Sequence, residues 1–319
     1  MNELRWGIIG CGDVVEKKSG PSIMGCPRSR ITAVMRRDVA KLAPFADANH
    51  VPLRTADASE VLNCAGVNIV YIATPPSSHR DYVIAAAESG RHVLVEKPMG
   101  MTAADSEEMI DACERAGVEL FVAYYRRFHP HVLMMRKLIA DGVLGELVHG
   151  QAEYAMPYRS GEAYGWRIDP QISGGGLFVD VLSHRIDLLN AFLGQPIRMS
   201  GAKRRVHADS LMDDLATMQV GYASDAQSVI LGNFASQSFV DRLVLSGVDG
   251  EIRTDNLDSG KFTLRCKVSE EEYACEADAA PHVGLMRHIE SVLLDGLDNE
   301  VSGRDGLLTD LVLDAHRAS

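Results

Sequence analysis

The sequence predicts an α/β chain in two parts, a doubly wound parallel sheet over residues 1–123 and then an α/β domain over 124–319 whose open sheet is mainly antiparallel. At 319 residues the chain exceeds what one hydrophobic core usually holds, so two domains are expected. From residue 4 to about 123, short apolar runs alternate with amphipathic stretches, the rhythm of βαβ units. From Met199 to Ala277 strand-like runs follow one another without helices, which requires mostly antiparallel pairing.

The first-half strands are expected at Leu4-Ile9, Ile31-Met35, Asn68-Ala73, His92-Val95 and Glu119-Ala123, with a weak one near Leu53. Helices are expected at Val14-Met24, Val39-Asn49, Ser59-Cys64, Ser78-Ser89 and Ala103-Ala116; Gly90 and Gly117 stand where a helix must stop. The second half opens with a helix near Pro130-Ala140, a strand at Leu147-Tyr154 and an irregular stretch. A long helix, about Leu177-Phe192, follows. Strands are then expected at Met199-Val206, Ala216-Tyr222, Gln227-Ala235, Asp241-Ser246, Glu251-Thr254, Phe262-Lys267 and Glu272-Ala277. Helices at Val283-Leu294 and Gly306-His316 close the chain. A cleft between the halves is the expected site.

Hydrophobic residues at 46% and charged residues at 24% are ordinary for a soluble globular protein. The formal net charge of -12 argues against nucleic acid, whose phosphates demand clustered Lys and Arg, and favours small-molecule partners. No run has the length of a membrane span, and the N-terminus lacks a signal-peptide pattern, so a cytoplasmic location is expected. Six scattered cysteines without a C-x-x-C pair suggest neither a metal site nor a disulfide framework.

Trp6-Gly7-Ile8-Ile9-Gly10-Cys11-Gly12-Asp13-Val14-Val15 reads as a strand entering a glycine turn and then a helix. Gly10 permits the turn, and Gly12 lets backbone approach a pyrophosphate at the helix N-terminus, with Asp13 and Val14 beside it. Val15 replaces the usual third glycine, which governs helix packing rather than phosphate contact. Opening the first βαβ unit of the chain, the segment is expected to begin a dinucleotide-binding Rossmann domain, where a plain strand-helix turn is the alternative. At the end of the second strand, Arg36 stands where an acid would hold the ribose of NAD, with Arg37 and Asp38 after it. A guanidinium there favours the 2'-phosphate of NADP, with NAD as the alternative if Asp38 reaches the ribose.

Thr74 and Pro75 follow the fourth strand on a loop stiffened by two prolines. Ser77 or Ser78 is available to cap the next helix, and His79 lies early in that helix, where an exposed capping role competes with a cofactor role. Glu96-Lys97-Pro98 ends the fifth strand, where parallel sheets collect ligands, although alone such a tripeptide is a common surface turn. In Ser173-Gly174-Gly175-Gly176 through Asp187, a helix would place Asp180, His184 and Asp187 on one face. A satisfied core histidine would give the same pattern.

Taken together, Gly10-Cys11-Gly12, Ala73-Thr74-Pro75-Pro76 with His79, Glu96-Lys97-Pro98, Tyr125-Arg126-Arg127-Phe128 and the glycine run to Asp180 and His184 resemble the Gfo/Idh/MocA oxidoreductases over essentially the whole chain. The resemblance implies NAD(P)-dependent hydride transfer at a carbinol or carbonyl carbon of a sugar, polyol or related molecule, in a homodimer or homotetramer. It implies that Lys97 is the active-site lysine, with a cis bond before Pro98. Asp180 and His184 match the acid and histidine of the second-domain motif; His184 is the candidate acid/base, with Lys97 as the alternative carrier of the proton, and Asp180 orients His184 or the substrate. Tyr125, Arg126, Trp166 and Arg167 are implied on the cofactor and substrate side. Leu182 departs from the glycine of many members. Relatives that act as NAD-dependent glycosidases, or as dinucleotide-binding regulators, are the alternatives. Substrate choice is expected to rest on the sheet face and the loop 155–172.

Overall fold

A computed structural model describes residues 2–159 and 161–319, and of residues 161–163 the backbone alone. Ser160, in the loop expected to choose the substrate, lies outside the described residues. The chain divides into two compact units, Met1–Tyr125 with Asp278–Leu307, and Arg126–Ala277 with Leu308–Ser319.

In the first unit, six strands β1 (Leu4–Ile9), β2 (Ser29–Met35), β3 (Leu53–Thr55), β4 (Ile69–Ile72), β5 (His92–Val95) and β6 (Leu120–Val122) form one parallel sheet in the order β3-β2-β1-β4-β5-β6. Strands β4 and β6 are buried throughout, as the continuous apolar runs of a sheet covered on both faces require. The connecting helices are α1 (Gly20–Met24), α2 (Ala43–Ala48), α3 (Ala58–Leu62), α4 (His79–Glu88) and α5 (Ala103–Ala116). A Thr102/Asp105 capping box starts α5, and Gly117, at φ +66°, stops it. The order reverses between β1 and β4, so their carboxyl ends flank the switch point of the sheet.

Residues 278–307, placed with the second domain by a division at 123/124, pack in the first unit. Their helix α9 (Val283–Asp295) carries Glu290, whose buried carboxylate accepts hydrogen bonds from Arg28 N at 3.1 Å and Ser29 Oγ at 2.7 Å. Val122 N donates to Val301 O at 2.8 Å, adding this segment to the sheet edge.

The second unit holds α6 (Pro130–Ala140), the short α7 (Pro170–Ser173) and the long α8 (Gly176–Leu193). Its eight strands are β7 (Leu147–Pro157), β8 (Pro196–Arg204), β9 (Leu215–Tyr222), β10 (Gln227–Ser236), β11 (Val240–Gly247), β12 (Gly250–Thr254), β13 (Lys261–Cys266) and β14 (Ser269–Ala274). They run β14-β13-β12-β11-β7-β10-β9-β8, antiparallel except for β7 beside β10. Phe178, Leu182, Ile186 and Leu189 of α8 pack on Met218, Val220, Ile230 and Phe234 of the sheet. The last helix, α10 (Gly303–Ala318), ends in this unit. Among the described residues no helix is long and apolar enough to cross a membrane, and all six cysteines are free thiols.

His316 of α10 is buried and stacked on Phe178, ring centroids 4.0 Å apart. Burial, with Lys203 and Arg317 adding like charge, pulls its pKa from 6.5 down to about 4. The unfolded chain therefore binds more protons than the folded one between these values. Stability is complete above pH 6.5 and falls as pH drops toward 4, by roughly 3 kcal/mol from this group. Urea-unfolding free energies across that range should show this loss in the wild type and not in His316→Phe.

Candidate active site

In the first unit, Gly10 takes φ +93°, and a Cβ there would lie 2.8 Å from Ala73 backbone and Thr74 Cγ2, so only glycine fits this turn. Gly12 is different: a Cβ would meet nothing nearer than Gly10 O at 3.9 Å. That open face above a helix start is the cradle a pyrophosphate needs. Gly10 N and Cys11 N both donate to Met35 O, tying the loop to the end of β2. Beyond Asp13 and Val14, Val15–Ser19 forms a π-helical turn leading into α1, with Val15 fully buried. Burial pushes the Cys11 thiol up to about 12, so it is protonated and unreactive at neutral pH. Asp13 pairs with Lys17 at 2.7 Å on the exposed face.

At the end of β2, Arg36 Nη1 donates to Glu16 Oε1 at 2.7 Å, a partner that no local pattern announces. Arg37 is exposed. Asp38 occupies the N-cap of a 3₁₀ turn without a side-chain capping bond.

After β4, the structure rules out the exposed capping alternative for His79: the ring is fully buried. Its Nδ1 lies 3.1 Å from both Pro98 O and Met99 O, and its Nε2 lies 2.8 Å from Thr74 O. Burial lowers its pKa against the pull of these carbonyls. Nor do Ser77 and Ser78 cap α4; Ser78 Oγ instead bonds Thr74 Oγ1 at 2.8 Å and Pro75 O at 3.0 Å. His79 thus acts as a bridge between the loops after β4 and β5.

The bond before Pro98 is cis. Glu96 Oε1 accepts from the Tyr71 hydroxyl at 2.5 Å, and Oε2 from Lys97 N at 3.2 Å. Burial and the adjacent carboxylate hold the Tyr71 phenol well above its ordinary pKa, so it stays a donor. Glu96 thereby orients the backbone that carries Lys97. Tyr125 stacks on His282 with centroids 4.1 Å apart; His282, from the returning segment, escaped the sequence reading because 157 positions separate the pair (282 − 125).

In the second unit the glycine run is sterically required. Gly174, Gly175 and Gly176 take φ of +76°, +146° and +74°, and a Cβ on Gly175 would lie 2.4 Å from Val179 Cγ2. Asp180, His184 and Asp187 share a face of α8 as expected. Asp180 Oδ2 accepts from Arg167 Nε at 3.1 Å, and the Arg167 guanidinium lies 4.8 Å from the Trp166 ring centroid. His184 is 5% exposed. Asp187 is fully buried with Arg127, Nη2 to Oδ1 at 2.6 Å. Arg185 pairs with Asp241 at 2.7 Å, also buried. Arg126 is held by Asp258 at 2.5 Å within this unit. Leu182 points into the core beside Gly232.

Residues 4–124 match the model of the oxidoreductase family with an NAD-binding Rossmann fold, and residues 132–253 that of the GFO/IDH/MocA C-terminal domain. The chain belongs to the Gfo/Idh/MocA oxidoreductase family. Family relatives include oxidoreductase P35 of Formosa agariphila, 32% identical over 79% of both chains. D-apiose dehydrogenase of Paraburkholderia graminis is 27% identical over 97% of this chain and 89% of its own. Among solved structures, aldose-aldose oxidoreductase from Caulobacter crescentus, complexed with glycerol, has a TM-score of 0.90 at 25% identity, covering 99% of this chain and 97% of that one. As a Gfo/Idh/MocA member the chain is an oxidoreductase with a Rossmann domain for a nicotinamide dinucleotide.

The buried Arg127–Asp187 pair makes a testable claim about α8. Asp187→Asn leaves a guanidinium without its countercharge and should cost about 3–5 kcal/mol in urea unfolding. Replacing both partners, Arg127→Met with Asp187→Leu, should recover most of that loss.

Proposed function

We propose that this protein transfers hydride between a nicotinamide dinucleotide and a carbinol or carbonyl carbon of a sugar, polyol or related hydroxylated small molecule. The observation that carries the proposal is the placement of Lys97 at the carboxyl end of β5, on a loop tied by His79 to the Thr74 loop beside the glycine turn. Relatives named D-apiose dehydrogenase, D-xylose 1-dehydrogenase and 1,5-anhydro-D-fructose reductase support the substrate class.

When bound, the nicotinamide supplies or accepts the hydride. The work of this chain's own residues is charge and proton management. Gly10, Gly12, Asp13 and Val14 hold the pyrophosphate, with Thr74 and Pro75 on the nicotinamide side and Arg36 and Arg37 toward the adenosine ribose. As an alcohol is oxidised, its hydroxyl oxygen gains negative character, and the Lys97 ammonium stabilises that charge. His184, the candidate acid/base, takes the proton in oxidation and returns it in reduction. Asp180, steadied by Arg167, orients the substrate hydroxyls, and Tyr125 and Trp166 wall the site. Exposed Val148, Ile197 and Val229 on the eight-stranded sheet support contacts between copies in a homodimer or homotetramer.

The test is a panel of aldoses, polyols and their keto forms assayed with NADP and NAD at the nicotinamide absorbance band. Some member should turn over, and Lys97→Ala should lower its kcat by about 10²–10⁴-fold while dinucleotide affinity is unchanged. Near-normal turnover in that variant would remove Lys97 from the mechanism.

A further inference from the structure

We propose that Glu16 sets which dinucleotide this loop accepts, by holding Arg36 in an ion pair that tolerates a ribose 2'-hydroxyl and opposes a 2'-phosphate. The inference rests on the dinucleotide reading above and adds a residue that reading does not contain.

Arg36 taken alone is a phosphate-binding residue, but it does not stand alone. Glu16 Oε1 lies 2.7 Å from Arg36 Nη1, with the two side chains 33% and 26% exposed. Neither end of the pair is loose. Glu16 N donates to Gly12 O at 2.9 Å, so its carboxylate rides on the turn that begins at the pyrophosphate cradle. Arg36 N donates to Thr55 O at 3.1 Å, fixing the end of β2. The buried Cys11 thiol feels both charges, Glu16 raising its pKa and Arg36 lowering it, which places the pair beside the glycine loop.

The chemistry follows from charge. A guanidinium with a carboxylate at hydrogen-bond distance is nearly neutral as a unit. Its planar face and remaining N-H groups still serve a neutral ribose and an adenine ring. A 2'-phosphate arriving there carries negative charge toward the Glu16 carboxylate, and must either displace it from Arg36 or share the guanidinium with it. A 2'-hydroxyl meets no such opposition. Selection between NADP and NAD is thus the balance of Arg36 against Glu16.

Dissociation constants for NADPH and NADH, read by fluorescence quenching on the full-length protein without substrate, test this in the wild type, Glu16→Gln, Arg36→Gln and the double variant. Glutamine keeps the size and the hydrogen bond to Arg36 while removing the charge. Glu16→Gln should tighten NADPH by about tenfold relative to NADH, with NADH little changed. That gain should vanish when Arg36 is also replaced, because the acid acts through the guanidinium. The melting temperature of each variant, measured in parallel, establishes that it is folded. An unmoved NADPH to NADH ratio in Glu16→Gln, with a ratio that moves in Arg36→Gln, overturns the role of Glu16 and leaves the dinucleotide reading intact. A ratio that moves in neither removes Arg36 as the ribose reader and the proposal with it. Failure of the wild type to bind either dinucleotide overturns the dinucleotide reading itself.

Discussion

One buried imidazole fixes the chemistry-bearing edge of the parallel sheet. Strands β4 and β5 are hydrogen-bonded neighbours, and the loops leaving them lie beyond the last ladder pair, Ile72 and Val95, where a side chain can tie them. The His79 ring supplies the tie by facing Thr74 O on one side and Pro98 O and Met99 O on the other. Three carbonyl oxygens gather around one ring, whose single N–H in the neutral form donates on one side while packing holds the other. Lys97 precedes Pro98 directly, and Gly10 packs against Ala73 and Thr74. The glycine turn, the Thr74 loop and the lysine are therefore positioned as one object.

The second unit uses a different device. Helix α8 presents leucines and Phe178 to the sheet while carrying three charged residues and a histidine at buried or nearly buried positions. Two of those charges, Arg185 and Asp187, are matched by Asp241 and Arg127 from other elements. Buried ion pairs contribute little net stability against apolar substitutes, but each fixes a side chain in direction. Here they fix the rotation of α8 about its axis. That rotation decides where Asp180 and His184 point, so the pairs orient two residues of the proposed site.

Much of this architecture is legible in the sequence where periodicity is strong. The spans Leu4–Ile9, His92–Val95, Ala103–Ala116 and Pro130–Ala140 coincide with the pattern, because apolar runs and helix stops mark them directly. The last strand is Ser269–Ala274 rather than 272–277, since Ser-Glu-Glu-Glu offers no apolar alternation and only its register with β13 defines it. The turn Gly161–Ile168 carries no pattern at all. Within the candidate site, the partners of the polar side chains are not legible from local sequence. A histidine after two serines at a helix start reads as a cap, and nothing local reveals acceptors 19 and 20 positions away. Arg36 reads as a phosphate ligand until Glu16 is seen across the turn. Leu182 reads only as a departure from glycine until the helix phase turns it into the core. Spacing along the chain encodes elements, whereas charge pairing between elements is a property of the fold.

The central claim is mechanical coupling of the two strand ends through His79, and amide hydrogen exchange measures it directly. In His79→Ala, mass spectrometry should find faster exchange in both Ala73–Ser78 and Lys97–Gly100, with the rest of the first-unit sheet unchanged. Faster exchange confined to the start of α4, with Lys97–Gly100 as protected as in the wild type, would contradict the account.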